Sequence, residues 1–112
     1  MTIETIIVED EDMISGLILQ CLQIKGSYDP ITVCQKYEDL QSHHLDSGLF
    51  ILDNNNQYGM SGVEFLSKTQ IPKEKVILMS GRDGWEQLPD FKEYRFLQKP
   101  FRINELYELL NK

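Results

Sequence analysis

The stretch Leu49-Phe50-Ile51-Leu52-Asp53 decides the fold of this 112-residue chain. Its four consecutive apolar side chains lead directly into a carboxylate. Unbroken apolar runs of this kind are typical of strands that are covered on both faces of a parallel sheet. Ile6-Ile7-Val8 and Val76-Ile77-Leu78-Met79 have the same character. Together with two weaker runs, they predict strands at residues 5–8, 31–34, 49–52, 76–79 and 94–97.

Helical patterns of apolar residues separate these strands. The clearest begins at Ile14 and ends before Gly26, a residue that stops helices. Weaker patterns predict helices over residues 37–45, 63–66 and 103–110. A glycine and a proline interrupt the stretch 81–91, so we expect the fourth helix to be short or irregular. Strands that alternate with helices predict an α/β fold, a doubly wound five-stranded parallel sheet flanked by helices.

The composition argues against several classes of protein. Acidic residues outnumber Lys and Arg by 18 to 11, which gives a net charge of −7. Such a chain does not, as a whole, attract nucleic acid or an anionic membrane. Apolar runs fall well short of the roughly 20 residues that span a bilayer, and the acidic start is not a secretory signal. Cys21 and Cys34 lack CxxC spacing, so we expect one cytoplasmic domain over residues 1–112 without disulfides or zinc.

Polar side chains follow the predicted strands at their carboxyl ends. Glu9 and Asp10 come after the first strand, Asp53 after the third, Ser80 after the fourth and Lys99 after the fifth. Ligands of parallel α/β sheets bind at this edge. Clustered carboxylates repel one another and need a cation, and oxygen ligands suit Mg²⁺. Because a hydroxyl and an ammonium complement phosphoryl oxygens, the sequence predicts an Mg²⁺-dependent phosphoryl site with a carboxylate nucleophile.

Five segments in the right order give the chain a family resemblance. It resembles the receiver domain of two-component response regulators over essentially its full length. Each segment alone is a weak signal, but their order and their placement on successive elements make the combination specific. The matching segments are Ile6-Ile7-Val8-Glu9-Asp10, Phe50-Ile51-Leu52-Asp53, Gly62-Val63-Glu64-Phe65-Leu66, Ile77-Leu78-Met79-Ser80-Gly81 and Phe96-Leu97-Gln98-Lys99-Pro100-Phe101.

The resemblance implies a flavodoxin-like receiver fold and a role for each residue that matches the motifs. Asp53 would accept the phosphoryl group, and Ser80 and Lys99 would complete the catalytic set. Ser80 would also act as the switch hydroxyl, with Phe96 as the switch aromatic. The ligands of Mg²⁺ would be Glu9, Asp10, Asp53 and the backbone carbonyl of Asn55.

The resemblance also implies a signalling module rather than a turnover enzyme. A histidine kinase or phosphotransfer protein would donate the phosphoryl group to Asp53, and the acyl phosphate would later hydrolyse. We expect no output domain in this chain, so the signal would leave by contact with a downstream protein, without direct binding to nucleic acid or membrane. Homodimerisation on phosphorylation stays open at this point.

The loop after Asp53 departs from the family pattern and keeps two other interpretations open. Residues 54–61 form a longer loop than is usual, without proline and with three asparagines. This favours, as an alternative, a pseudo-receiver that binds a partner constitutively and is not phosphorylated. Asp10-Glu11-Asp12 also suggests a haloacid-dehalogenase-type phosphatase. Such enzymes place their second acidic pair after the lysine, however, whereas Asp53 precedes Lys99.

Overall fold

A five-stranded parallel sheet is the framework of the computed structural model, which describes residues 2–57, 59–81 and 93–111. Its strands are β1 (Ile3–Val8), β2 (Tyr28–Cys34), β3 (Leu49–Asp53), β4 (Val76–Ser80) and β5 (Arg95–Gln98). They lie in the order β2-β1-β3-β4-β5. The direction in which strands are added reverses after β2, so the switch point of the sheet lies between β1 and β3.

The central strands carry the apolar runs of the sequence and are buried on both faces. Every residue of β3 and β4 is buried, and so are the last four residues of β1. Alternate side chains enter two hydrophobic clusters, with Ile6 and Val8 in one cluster and Ile7 in the other. The predicted five-stranded α/β sheet is therefore confirmed.

Three α-helices cover the sheet in the described part of the chain: α1 (Asp12–Lys25), α2 (Gly62–Ser67) and α3 (Ile103–Leu110). Buried residues of α1 and α3 belong to one hydrophobic cluster and those of α2 to the other, so the sheet is covered on both faces. Gly26 ends α1 as predicted, with a positive φ of 78° and its N–H bonded to the carbonyl oxygen of Leu22. None of the described helices has the length and apolarity needed to cross a bilayer.

Residues 37–45 differ from the sequence prediction. The weak helical pattern there corresponds to two short 3₁₀ helices, Tyr37–Asp39 and Ser42–Asp46. Serine, aspartate and histidine bond readily to nearby backbone, and His44 Nδ1 accepts a hydrogen bond from the Gln41 N–H at 3.0 Å. These local bonds favour turns over a continuous α-helix. The predicted irregular helix over residues 81–91 lies outside the described residues, apart from its first residue.

Candidate functional site

Three carboxylates meet at the switch point of the sheet. Glu9 and Asp10 follow β1, and Asp53 is the last residue of β3. Each offers an oxygen that lies within 4.8 Å of those of the other two. Glu9 and Asp53 are fully buried, whereas Asp10 is half-buried. The structure thus brings together residues that are more than 40 positions apart in the sequence, as the strand-end argument predicted.

Lys99 neutralises part of this cluster. It follows β5, and its Nζ lies 2.9 Å from Glu9 Oε1 and 3.1 Å from Asp53 Oδ1. Its side chain is 12% exposed, so both ion pairs are largely shielded from solvent. One ammonium faces three carboxylates, which leaves the site with surplus negative charge when all of them are ionised.

Burial and mutual repulsion shift the ionisation of the two buried carboxyls. Burial raises the pKa of Glu9 to about 7, and the Asp53 carboxylate adds to the rise while Lys99 opposes it. Burial also raises the pKa of Asp53, against the stabilising effect of the Asn55 N–H and of Lys99. The pocket therefore holds its negative charge at a cost that a cation would relieve.

Asp10 and Lys99 shift in the directions that keep them charged. Burial acts to raise the pKa of Asp10, but a proton shared with Asp53 and a hydrogen bond with Glu9 outweigh it, so the pKa is lowered. Burial acts to lower the pKa of Lys99, but its hydrogen bond to Glu9 and the charge of Asp53 outweigh it, so the pKa is raised. Lys99 is therefore an ammonium throughout the neutral range.

The two oxygens of Asp53 have different surroundings. Oδ1 accepts a hydrogen bond from the Asn55 N–H at 2.9 Å and pairs with Lys99. Oδ2 is buried and, with the carboxyls ionised, accepts no hydrogen bond from the described residues. A buried anionic oxygen without a donor is costly unless a cation or a reacting atom binds it. Together with the oxygen-only donors around it, Oδ2 makes the site fit a hard divalent cation.

The side chain of Asn55 reaches the end of the neighbouring strand. Its Oδ1 accepts hydrogen bonds from Ser80 Oγ at 2.7 Å and from the Gly81 N–H at 2.8 Å. Asn55, Gly81 and Lys99 line a cleft of about 340 Å³ beside Asp53. The sequence analysis considered only the carbonyl of Asn55, and nothing in the spacing of residues predicts where its amide lies.

Tyr37 is a further residue of the site that the sequence analysis missed. It is buried, its ring stacks on Phe65 with centroids 4.8 Å apart, and its Oη donates a hydrogen bond of 2.6 Å to the carbonyl oxygen of Asp53. Tyr37 thus fixes the backbone of Asp53 from inside the core. In the sequence it stood out only as an apolar member of a weak helical pattern.

The remaining predicted residues lie along β4 and β5. Ser80 is buried at the end of β4, opposite Gln98. Phe96 lies opposite Leu78, two residues before the pair that Ser80 forms with Gln98. It is half-buried and packs against the hydrophobic cluster that contains Tyr37 and Phe65. The structure therefore brings Ser80 to the carboxylates through Asn55, whereas Phe96 lies beneath the site. A switching role for either residue stays a prediction.

Comparison with known proteins identifies related folds. The chain matches NtrX from Brucella abortus with a TM-score of 0.80 at 22% identity, over 99% of this chain and 26% of that one. It matches the isolated NtrX receiver domain with a TM-score of 0.78 at 22% identity, over 96% of this chain and 94% of that one. A receiver domain protein from Clostridium thermocellum gives a TM-score of 0.78 at 20% identity, with 97% and 91% covered.

The extent of these matches defines what is shared. The chain spans about a quarter of the length of NtrX, and nearly all of an isolated receiver domain. No family model matches the sequence, and no curated protein matches it. The likeness is therefore one of fold.

Proposed function

Because the chain has the fold of response regulator receiver domains, we propose that it is a phosphoryl-accepting receiver in two-component signalling. Asp53 is the acceptor, and a histidine kinase or phosphotransfer protein is the donor. The signal passes on by contact with a downstream protein. The acyl phosphate hydrolyses in place, so the chain is a self-limiting acceptor and not a turnover enzyme. A cytoplasmic location belongs to the same proposal, because such donors present their phosphohistidine there.

The surroundings of Asp53 Oδ2 carry this proposal. Lys99 and the Asn55 N–H hold the other carboxylate oxygen at 3.1 and 2.9 Å, which leaves Oδ2 as the oxygen without a hydrogen-bond donor among the described residues. Tyr37 fixes the backbone behind it. A nucleophile whose orientation is set by its neighbours needs little reorganisation before attack. This arrangement supports Asp53 as the acceptor.

The reaction forms one bond and breaks another at phosphorus. Asp53 Oδ2 forms the new P–O bond while the bond from phosphorus to the donor nitrogen, or to the acyl oxygen of a small-molecule donor, breaks and its electron pair leaves with the donor. Glu9, Asp10, Asp53 and the carbonyl of Asn55 are the groups that would hold Mg²⁺, and the ion would neutralise charge at the phosphoryl oxygens. The Lys99 ammonium, 3.1 Å from Asp53 Oδ1, supplies further positive charge.

Intact-mass spectrometry with acetyl phosphate tests the proposal. Wild-type protein with Mg²⁺ should gain one phosphoryl group, and it should gain none when Mg²⁺ is chelated. Asp53→Asn should gain none. Asp46→Asn, which changes an exposed aspartate outside the site, should behave as wild type. Labelling of the Asp53→Asn protein would contradict the assignment of the acceptor.

A pseudo-receiver remains the second candidate, because the Asn55 side chain accepts hydrogen bonds from both Ser80 and Gly81. In that case the wild-type protein takes up no phosphoryl group and binds its partner constitutively. Failure of both acetyl phosphate and the analogue beryllofluoride to bind wild-type protein would favour it. Repeated release of phosphate from a generic ester would instead favour a phosphatase.

A further inference from the structure

The Asn55 amide makes two hydrogen bonds that are unusual for an exposed loop side chain. Its Oδ1 accepts from a buried hydroxyl, Ser80 Oγ at 2.7 Å, and from a backbone amide, the Gly81 N–H at 2.8 Å. The backbone N–H of Asn55 donates to Asp53 Oδ1 at 2.9 Å. One residue therefore ties the carboxylate at the end of β3 to the two donors at the end of β4.

The two donors form a small oxyanion hole. A hydroxyl and a backbone N–H that converge on one oxygen are the groups that stabilise phosphoryl oxygens and other anionic oxygens. Gly81 lines the cleft together with Asn55 and Lys99, and Ser80 is buried directly before it at the end of β4. In this structure the oxygen they bind is a neutral amide oxygen of the chain itself.

We propose that Asn55 Oδ1 is an internal stand-in for a phosphoryl oxygen, so that phosphorylation of Asp53 has to displace the Asn55 side chain from Ser80 and Gly81. This inference rests on the proposed function. Displacement replaces a neutral acceptor by a charged one, which binds the same donors more strongly. Asn55 thus lowers the affinity of the site for phosphoryl groups without blocking it, and it holds Ser80 in place until a phosphoryl group arrives.

Removal of the amide should therefore strengthen binding of a phosphoryl analogue. We expect Asn55→Ala to bind beryllofluoride, in saturating Mg²⁺, about five- to tenfold more tightly than wild type, because two hydrogen bonds no longer have to be broken. A residue that merely orders the loop would give the opposite sign, since its loss would weaken binding. Titration followed by ¹⁵N–¹H NMR measures the dissociation constant and reports on Gly81 directly.

The Gly81 resonance gives a readout that does not depend on the analogue. In the free protein, Asn55→Ala should shift the Gly81 amide proton upfield and speed its exchange with solvent, because its acceptor is lost. Beryllofluoride should reverse both changes. Gln57→Ala is the matched control, since it removes an exposed amide side chain from the same loop and should leave the affinity and the Gly81 resonance as in wild type.

The outcomes separate this inference from the proposed function. Tighter binding by Asn55→Ala, or binding by Asn55→Ala alone, supports the stand-in. Equal or weaker binding, or an unchanged Gly81 amide in the free variant, overturns it while the receiver function stands. If neither wild type nor Asn55→Ala binds beryllofluoride, the proposed function fails and this inference fails with it.

Discussion

At the scale of single residues, Tyr37 supports Asp53 from within the core. Its Oη donates to the carbonyl oxygen of Asp53 at 2.6 Å. Burial, together with the charges of Asp53 and Glu9, raises the pKa of Tyr37 well above its usual value, so the hydroxyl stays a donor. Tyr37→Phe leaves that buried carbonyl without this bond and should lower the free energy of unfolding by about 1–2 kcal/mol. Urea denaturation measures the loss.

Tyr107 offers a matched control for this substitution. Its hydroxyl lies 3.5 Å from the carbonyl oxygen of Cys21, a distance at which a hydrogen bond contributes little. Tyr107→Phe should therefore change the free energy of unfolding by less than about 0.5 kcal/mol. Equal losses in the two variants would show that the Tyr37 hydroxyl has no special role.

Glu9 should dominate the pH dependence of the folding stability of the metal-free protein at pH values above the ordinary pKa of a glutamate. Burial raises the pKa of Glu9 from 4.5 to about 7 in the folded chain. The folded state then holds the proton more tightly than the unfolded state, so the stabilisation is complete below the unfolded pKa and is lost as pH rises through the folded one. We expect the free energy of unfolding to fall by on the order of 2–3 kcal/mol between about pH 4.5 and pH 7.5.

Urea denaturation of wild type and of Glu9→Gln across this pH range isolates the contribution of the Glu9 carboxyl to stability. Glu9→Gln cannot ionise at this position, so its stability should change much less over the same interval. The other acidic groups remain and act as an internal background. A wild-type curve that rises through this interval, or a Glu9→Gln curve as steep as that of wild type, would rule out Glu9 as the cause.

At the scale of elements, the first residue of α2 shows how closely a helix approaches the site. A Cβ on Gly62 would lie 2.9 Å from Tyr37 Oη and 3.3 Å from the carbonyl oxygen of Asp53. Gly62→Ala should push α2 away from β3 and lower the free energy of unfolding by about 1–3 kcal/mol. Gly16→Ala, on the exposed side of α1 with nothing within 4 Å of the new Cβ, should instead raise it by about 0.5–1 kcal/mol.

Thermal unfolding of the two variants gives the comparison directly. Both substitutions add one methyl group to a helical glycine, so propensity alone predicts the same sign for both. Opposite signs would show that the close approach of Gly62 to Tyr37 decides its effect. A stabilised Gly62→Ala protein would mean that α2 can shift without cost.

The sequence predicts best those elements whose burial follows from an unbroken run of apolar residues. The apolar run from Leu49 to Leu52 admits only a strand that is covered on both faces, and β3 is buried throughout. The weak pattern over residues 37–45 failed because Tyr37 points into the site and its neighbours bond locally. Tertiary contacts of this kind override a weak helical pattern of apolar residues. They cannot be predicted from the spacing of residues in the sequence.

At the scale of the whole molecule, the topology explains why the site could be predicted without its details. Parallel strands place their carboxyl ends at one edge, so Glu9, Asp53 and Lys99 lie along the same edge of the sheet. The orientation of individual side chains depends on packing across that edge. The Asn55 amide could equally have faced solvent, and only the structure shows it bonded to Ser80 and Gly81.

The three carboxylates of the site repel one another in a chain whose net charge is already −7. A bound divalent cation should relieve that repulsion. Lys99 offsets one of three carboxylates in the site. We therefore expect Mg²⁺ to stabilise the folded chain, by about 1.4 kcal/mol at ten times its dissociation constant, which corresponds to roughly 5 °C in melting temperature for a domain of this size.

Scanning calorimetry at constant ionic strength separates a bound ion from general screening, because KCl relieves exposed charges but not a buried cluster. Asp53→Asn removes one carboxylate and should melt higher than wild type without metal, yet respond less to Mg²⁺. Asp46→Asn makes the net charge one unit less negative, as Asp53→Asn does, but outside the site, and it should keep the wild-type response. An identical response to Mg²⁺ and to KCl would mean that the carboxylates stabilise one another through Lys99 and shared protons alone, and that the site takes no cation.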